Sequence, residues 1–318
     1  MSTLHLRLAD RLPPGRLRAP GLELMLGGTA SVLAVDWRQD AFASISVGSA
    51  APSVAGAALF AACGSMPGRW ACLASPVHLL AGLTDVRMPA DGILELQTTE
   101  AGGLADDFTL VFADAGARLV AGPGSQLFCI FDRVLDVVTH DPAAAIDRDM
   151  FGLQPAGVDA PRLKRLMSEV ELWLHEHAVN RERTARGAAV ITGLWLWGGG
   201  PTLQTLPEVR GWTSGADPLF AAFGSEAALP PPQPDGRRAA GVLVCDVPPG
   251  VPQWADFELR WLDPVAAALR RHEFERVTLS LGERMVSVTR VPRWRFWRRA
   301  RPWWESLAEP VAESLGGS

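Results

Sequence analysis

Residues 159–200 carry the pattern that most constrains this chain. Leu163, Leu166, Met167, Val170, Trp173, Leu174 and His177 recur at spacings of three and four, which puts them on one face of a helix. Asp159 is placed to cap that helix, and Pro161 sits just inside its start, where an absent N–H costs nothing. The helix is expected to end near Asn180, with a charged segment leading to Gly187. The run "AAVITGLWLWGGG" (188–200) then reads as a strand entering a glycine loop. Its near-continuous apolar character fits a strand covered on both faces, as in a parallel sheet. A helix feeding a doubly covered strand is the alternation of an α/β protein.

The final third repeats that alternation. "AAGVLVCDVPPG" (239–250) is a second apolar strand ending at Asp246, and 256–271 is a helix interrupted at Pro264. "FERVTLSLG" and "ERMVSVTRV" form a hairpin around Leu281-Gly282. The middle third differs in kind. "SVAGAALFAACG" (53–64) is a small-residue helix with a glycine stop, "GRWACLAS" (68–75) and "SQLFCIFDRV" (125–134) are strands, and 99–122 is a helix followed by strands. The expected fold is therefore an α/β core with a parallel or mixed sheet, residues 1–75 and 181–318, interrupted by an inserted α+β module, residues 76–180.

Hydrophobic residues make up 48% of the 318 and charged residues 20%, enough for a core without disulfide or metal staples. The net charge of −5 argues against non-specific nucleic-acid binding by the chain as a whole. Cys63, Cys72, Cys129 and Cys245 form no C-x-x-C pair, so reduced, mostly buried thiols are expected rather than a zinc site. The start lacks the apolar stretch of a secretory leader, and no apolar run approaches the ~20 residues a membrane helix needs. A cytoplasmic protein is expected.

Each candidate site has a structural alternative. His175 and His177 stand two apart on a helix, so they point about 200° from one another and cannot chelate one ion. His177, on the apolar face, is read as a buried, hydrogen-bonded histidine, with ligand contact as the alternative. Asn180, Arg181 and Arg186 lie where arginines can clamp a phosphate or carboxylate, or simply form a solvated charged connection. Gly198, Gly199 and Gly200 allow backbone N–H groups to approach an anion, or merely meet a turn's need for positive φ. Neither G-x-G-x-x-G nor G-K-[ST] is present there, and no G-x-S-x-G elbow exists in the chain. No metal or cofactor is expected. The tail, with Arg293, Trp294, Arg295, Trp297 and Arg298, is basic and aromatic. It suits a membrane surface, a partner protein, or packing against the body with the arginines left in water.

"HAVNRERTARGAAVITGLWLWGGG" resembles the RpfE-type regulatory proteins of proteobacteria, which carry a pattern like H-P-V-N-x-x-R…G…N-S-L-W-L-W-G-G-G. "ASPVHLLAGLTDVRMPADGILEL" (74–96), "PGLELMLGG" and "RVPRWRFWRR" look like other segments of that family. More distantly the landmarks are similar to archaeal-type cofactor-independent phosphoglycerate mutases, members of the alkaline-phosphatase-like metalloenzymes. That resemblance implies a trimmed alkaline-phosphatase-like core, with "AAVITGLWLWGGG" as the strand by which the insert returns to it.

The departures from that pattern bear on chemistry. Nothing in residues 1–50 matches the metalloenzymes' Asp-Gly metal strand and nucleophile, and His272 is the only histidine after His177. A paired-metal site needs several Asp and His ligands. The family proline is Ala178, its asparagine is Thr192, and the mutase's arginine before the glycines is Trp197. An indole in place of a guanidinium removes an anion clamp. The expected function is a non-catalytic, regulatory protein that binds a partner or a small anionic ligand. The alternatives are a metal-dependent phosphomutase or phosphatase, and a peripheral membrane or assembly factor acting through the tail.

Overall fold

The computed structural model describes residues 3–8, 22–23, 31–33, 37–82, 85–146, 150–224, 233–245, 251–281 and 284–288. In chain order the elements begin with β1 (Thr3–Leu8), β2 (Ser31–Leu33), α1 (Trp37–Ala43) and α2 (Val54–Cys63). Strand β3 (Trp70–Val77) leads to a short hairpin of β4 (Leu80–Ala81) and β5 (Val86–Arg87), then to α3 (Thr98–Val111), β6 (Ala117–Ala121) and β7 (Leu127–Phe131). Helices α4 (Ala160–Glu176) and α5 (Ala178–Ala185) precede β8 (Gly193–Pro201). The chain continues through β9 (Trp212–Ser214), α6 (Pro218–Ala221), β10 (Gly241–Cys245), α7 (Val251–Phe257), α8 (Asp263–Arg270), β11 (Arg276–Leu281) and β12 (Arg284–Val288). The α/β class with mixed sheets is what forms.

Two compact units divide the chain, residues 1–51 with 207–318, and residues 52–206. The first holds a six-stranded sheet in the order β2-β12-β11-β1-β10-β9. Strands β11, β1, β10 and β9 run parallel, while β12 and β2 are added antiparallel. This parallel run, extended by two antiparallel strands, is the mixed sheet expected of the α/β core. Leu4, Leu6, Leu243, Val277 and Leu279 from the strands pack with Trp254, Leu262, Val265 and Leu269. The interruption expected at Pro264 takes the form of a π turn at Glu258–Leu262 between α7 and α8. Proline has no N–H for the carbonyl four residues back, and the wider turn absorbs that missing bond without ending the helix. His5 is buried in the central strand, where its Nε2 lies 2.7 Å from Ser280 Oγ.

The second unit holds an antiparallel sheet in the order β6-β7-β3-β8. Ser53 caps α2, its side chain accepting from the Gly56 N–H at 3.1 Å, and Gly64 ends it at φ 73°. Helix α2 covers one face, packing with Ala71, Leu73, Trp195 and Trp197. Helices α3 and α4 cover the other with Cys72, Ala74, Leu194 and Leu196. The strict alternation along β8 explains its apolar run: both faces are buried, although the strand is antiparallel.

Three expectations are corrected here. The run 188–200 is not a strand of a parallel sheet but the end strand of an antiparallel one, because helices cover both sides of this sheet as well. It is therefore not a return strand to the six-stranded sheet. The helix from 160 ends at Glu176, and the segment expected to be a charged connection is a second helix, α5. The unit boundaries at 51/52 and 206/207 also lie outside the expected 76–180, since β3 and β8 pair with each other and belong together. Asp246, Gly282 and the tail residues Arg293, Trp294, Arg295, Trp297 and Arg298 lie outside the described residues.

Candidate functional site

The corner that joins α4, α5 and β8 holds most of the residues singled out from the sequence. His177 has an extended backbone (φ −69°, ψ 144°) and caps α5, its Nδ1 accepting from the Val179 N–H at 3.2 Å. The proton therefore sits on Nε2, which donates to Asp107 Oδ2 at 3.1 Å. Trp173 meets the imidazole edge-on at 4.6 Å between ring centroids. Both ring nitrogens are engaged, as the buried-histidine reading expects.

Asn180 is buried as well. Its Oδ1 accepts from the Ile191 N–H at 2.7 Å, and its Nδ2 donates to the Leu174 and Ile191 carbonyls, each at 2.8 Å. One side chain thus ties the last turn of α4 to the entry of β8. Arg186 pairs with Glu100, and Arg181 is exposed. The central cation of the corner is Arg183, which sequence reasoning passed over. Its Nη1 donates to Glu100 Oε2 at 2.9 Å and its Nε to the Ala189 carbonyl at 2.6 Å. Glu100 closes a capping box at α3, accepting from the Gln97 N–H at 2.8 Å. Burial pushes its carboxyl up, but the Gln97 amide, Arg186 and Arg183 together outweigh burial and hold it below its usual range. The Gln97…Glu100 spacing was the available signal. Arg183 needed the unexpected helix α5 to be placed on a buried face.

The three glycines sit toward the other end of β8, where side chains rather than open space surround them. A Cβ on Gly199 would lie 2.1 Å from the Trp70 ring, and one on Gly200 would lie 2.3 Å from Ser53 Cβ. Gly198 has φ 65°, and a Cβ there would lie 2.9 Å from Val54 Cβ. Their missing side chains let the start of α2 and Trp70 approach the strand. Trp197 is buried and its Nε1 donates to Ser75 Oγ at 2.9 Å.

The same unit encloses a cavity of about 830 Å³ beside β8. Residues 192–196 form one wall, the Lys164–Glu171 stretch of α4 a second, and the segment reaching Val86 a third. His140 and Leu153 close it from the loop before α4. His140 Nδ1 lies 3.2 Å from the Leu153 carbonyl, so that nitrogen donates. The His140 carbonyl accepts from Trp195 Nε1 at 2.7 Å. Burial raises the Glu171 carboxyl above its usual value. A mainly apolar recess with a few placed polar groups is the ordinary form of a ligand site. The sequence signals only α4's polar stripe here; the enclosure needs β8 at the sheet edge. Among the described residues, no group of three or more His, Cys, Asp or Glu is placed to hold a metal ion.

No family model and no curated protein matches the chain. Among solved structures it is similar to the cofactor-independent phosphoglycerate mutase from Thermoplasma acidophilum DSM 1728, at 14% identity over 91% of this chain and 90% of that one, with a TM-score of 0.35. It is also similar to the PH0037 protein from Pyrococcus horikoshii, at 10% identity over 87% of this chain and 81% of that one, with a TM-score of 0.33. Likeness at this level transfers neither chemistry nor ligand. No described helix is long and apolar enough to cross a membrane.

Proposed function

We propose that this chain is a binding protein that holds its ligand or partner in the cavity beside β8 and carries out no mutase chemistry. The cavity of about 830 Å³, walled by β8, α4 and residues that include Val77, Leu79, Ala81 and Val86, is the observation that carries this reading. The corner residues support it. His177, Asn180 and Arg186 are engaged in bonds that join α3, α4, α5 and β8, and Trp197 stands buried where the mutase resemblance would put an arginine. A regulatory role, as the RpfE-type resemblance implies, is part of this reading.

The test pairs a ligand screen with an assay. Purified protein is incubated with phosphoglycerate and a generic phosphoester in the presence of Mn, Zn or Mg, and screened in parallel for compounds that raise its melting temperature. The expected result is no turnover, and a rise in melting temperature that Ser168→Trp, which fills the cavity from α4, abolishes. Turnover of phosphoglycerate would overturn the reading. A rise unaffected by Ser168→Trp but lost in Arg181→Ala would move the site to the charged corner.

A further inference from the structure

The charged groups around the cavity are of two kinds, and this narrows what it can hold. Four residues of α4 line it, Lys164, Met167, Ser168 and Glu171. Their offsets of three, four and seven put them on one stripe of the helix. Lys164 and Glu171 stand at the two ends of that stripe, two turns and ~10.5 Å apart along the axis. The other carboxylate on the walls is Asp85, and it is already paired with Arg87. What is left is one cation and one anion.

The charged residues of α4 interleaved with the stripe are engaged elsewhere. Arg165 pairs with Glu169 at 2.9 Å, and Arg162 donates to the Ala115 carbonyl at 2.6 Å. Among the described residues no hydrogen bond or ion pair reaches Lys164 or Glu171. The Glu171 side chain leans across to the start of β8, its Oε1 3.8 Å from where a Cβ on Gly193 would stand. Part of it stays in solvent, yet the covered part is enough for burial to raise the carboxyl, with no cation to offset the effect.

Between the two charges the surface is apolar. Met167 packs with Leu194 and Leu196, and Leu79 and Val86 stand on another wall. A ligand seated here withdraws both charged groups further from water. An apolar molecule, or one with a single charge, leaves at least one of them covered and unmatched, which costs binding energy. A molecule with an anion toward Lys164 and a cation toward Glu171 gains a charge-assisted bond at each end. With ~2.8 Å allowed for each bond, its charged ends stand roughly 5–10 Å apart. An α-amino acid carries both charges on one carbon and cannot reach both groups.

We propose that the cavity beside β8 binds a small zwitterion of the ω-amino acid class, with its carboxylate at Lys164, its ammonium at Glu171 and its methylene chain over Met167 and Leu194. The inference rests on the cavity being the binding site and names the class of its ligand. Ser168 lies between the two charges, so a bulky residue there blocks the chain's path.

The test is a calorimetric titration of the full chain with 6-aminohexanoate, with hexanoate, hexylamine and leucine as controls. Saturable binding of 6-aminohexanoate is expected, with each control weaker by about tenfold or more. Lys164→Met and Glu171→Gln should each weaken it by about tenfold, while leaving the melting temperature of the free protein nearly unchanged, since neither side chain has a partner to lose. The exchanged variant, Lys164→Glu with Glu171→Lys, should bind within about threefold of the wild type, because an unbranched ω-amino acid can turn round to meet the reversed charges. Equal binding of any control, an exchanged variant as weak as the single ones, or no binding of 6-aminohexanoate by folded protein would each overturn the zwitterion. A compound from the melting screen whose effect Ser168→Trp abolishes, with no response to 6-aminohexanoate, would keep the cavity as a binding site and remove this ligand class. Neither signal would remove both.

Discussion

Glu100 and Arg183 pair at 2.9 Å with side chains only 3% and 6% exposed, linking α3 to α5. A pair this buried gains little over an apolar replacement, but either half left alone is costly. Arg183→Met should destabilise the 52–206 unit by about 3–5 kcal/mol, because the buried Glu100 carboxylate then keeps the Gln97 N–H and the partly exposed Arg186 but loses its buried cation. Glu100→Leu with Arg183→Met should cost less than Arg183→Met alone. Calorimetric melting of the three proteins checks the order, and a double variant worse than the single would contradict it.

The same carboxylate sets an acid limit. Its folded-state value is held below the usual range, so its contribution is fully present above about pH 4.5, the ordinary value. It is lost as pH falls through the folded value. Glu100→Gln should flatten the fall of the unit's melting temperature below pH 4.5, while lowering the melting temperature at pH 7. A wild-type slope retained in the variant would assign the acid limit elsewhere.

His5 acts in a higher window, in the other unit. Burial, and then the charge of Arg7, lower its value from 6.5 to about 4. Between those values the unfolded chain binds a proton that the folded chain refuses, so stability falls as pH drops from 6.5 toward 4, by about 3 kcal/mol in all. NMR titration should place the imidazole near pH 4, and His5→Gln should remove the slope between pH 6.5 and 4. A midpoint near 6.5 would show that the ring is not shielded as described.

What the sequence disclosed follows from how local each signal was. The α4 stripe from Leu163 to Leu174 is a property of one helix, and it was legible with its proline start. The glycine stop of α2 and the β11–β12 pair were equally local. The direction of β8 was not legible, since burial on both faces gives the same apolar run in a parallel strand and in an antiparallel one under two helical layers. Asn180 was found as a polar residue at a helix end, yet its partners Leu174 and Ile191 straddle a second helix that charge content concealed. The cavity depended on which strand is last in the sheet, a long-range fact with no local trace.

Asn180 gives a test of that corner. Asn180→Ala strands the Ile191 N–H and removes two further bonds in a buried place. A cost of about 2–4 kcal/mol is expected, as is faster amide exchange at Ile191 with the β7 amides unaffected. Asn180→Asp should recover little, because the carboxylate replaces the amide's N–H donors to Leu174 and Ile191 with an acceptor and adds a buried charge. Full stability in either variant would mean that the loop between α5 and β8 is held by other contacts.

The glycines are the last discriminating case, since anion binding and close packing make opposite predictions for them. Gly199 sits in β8, where a methyl group would overlap the Trp70 ring. If the glycine serves packing, Gly199→Ala should cost about 1–3 kcal/mol and perturb Trp70 fluorescence. The relieving change Trp70→Leu in the same chain should recover part of that loss, because it removes the ring that the methyl group meets. If the glycine instead serves an anion, Gly199→Ala should leave stability nearly unchanged and abolish a phosphate-induced rise in melting temperature. The 2.1 Å approach of Trp70 to the Gly199 Cβ position favours the first outcome, and calorimetry of the single and double variants with and without phosphate separates the two.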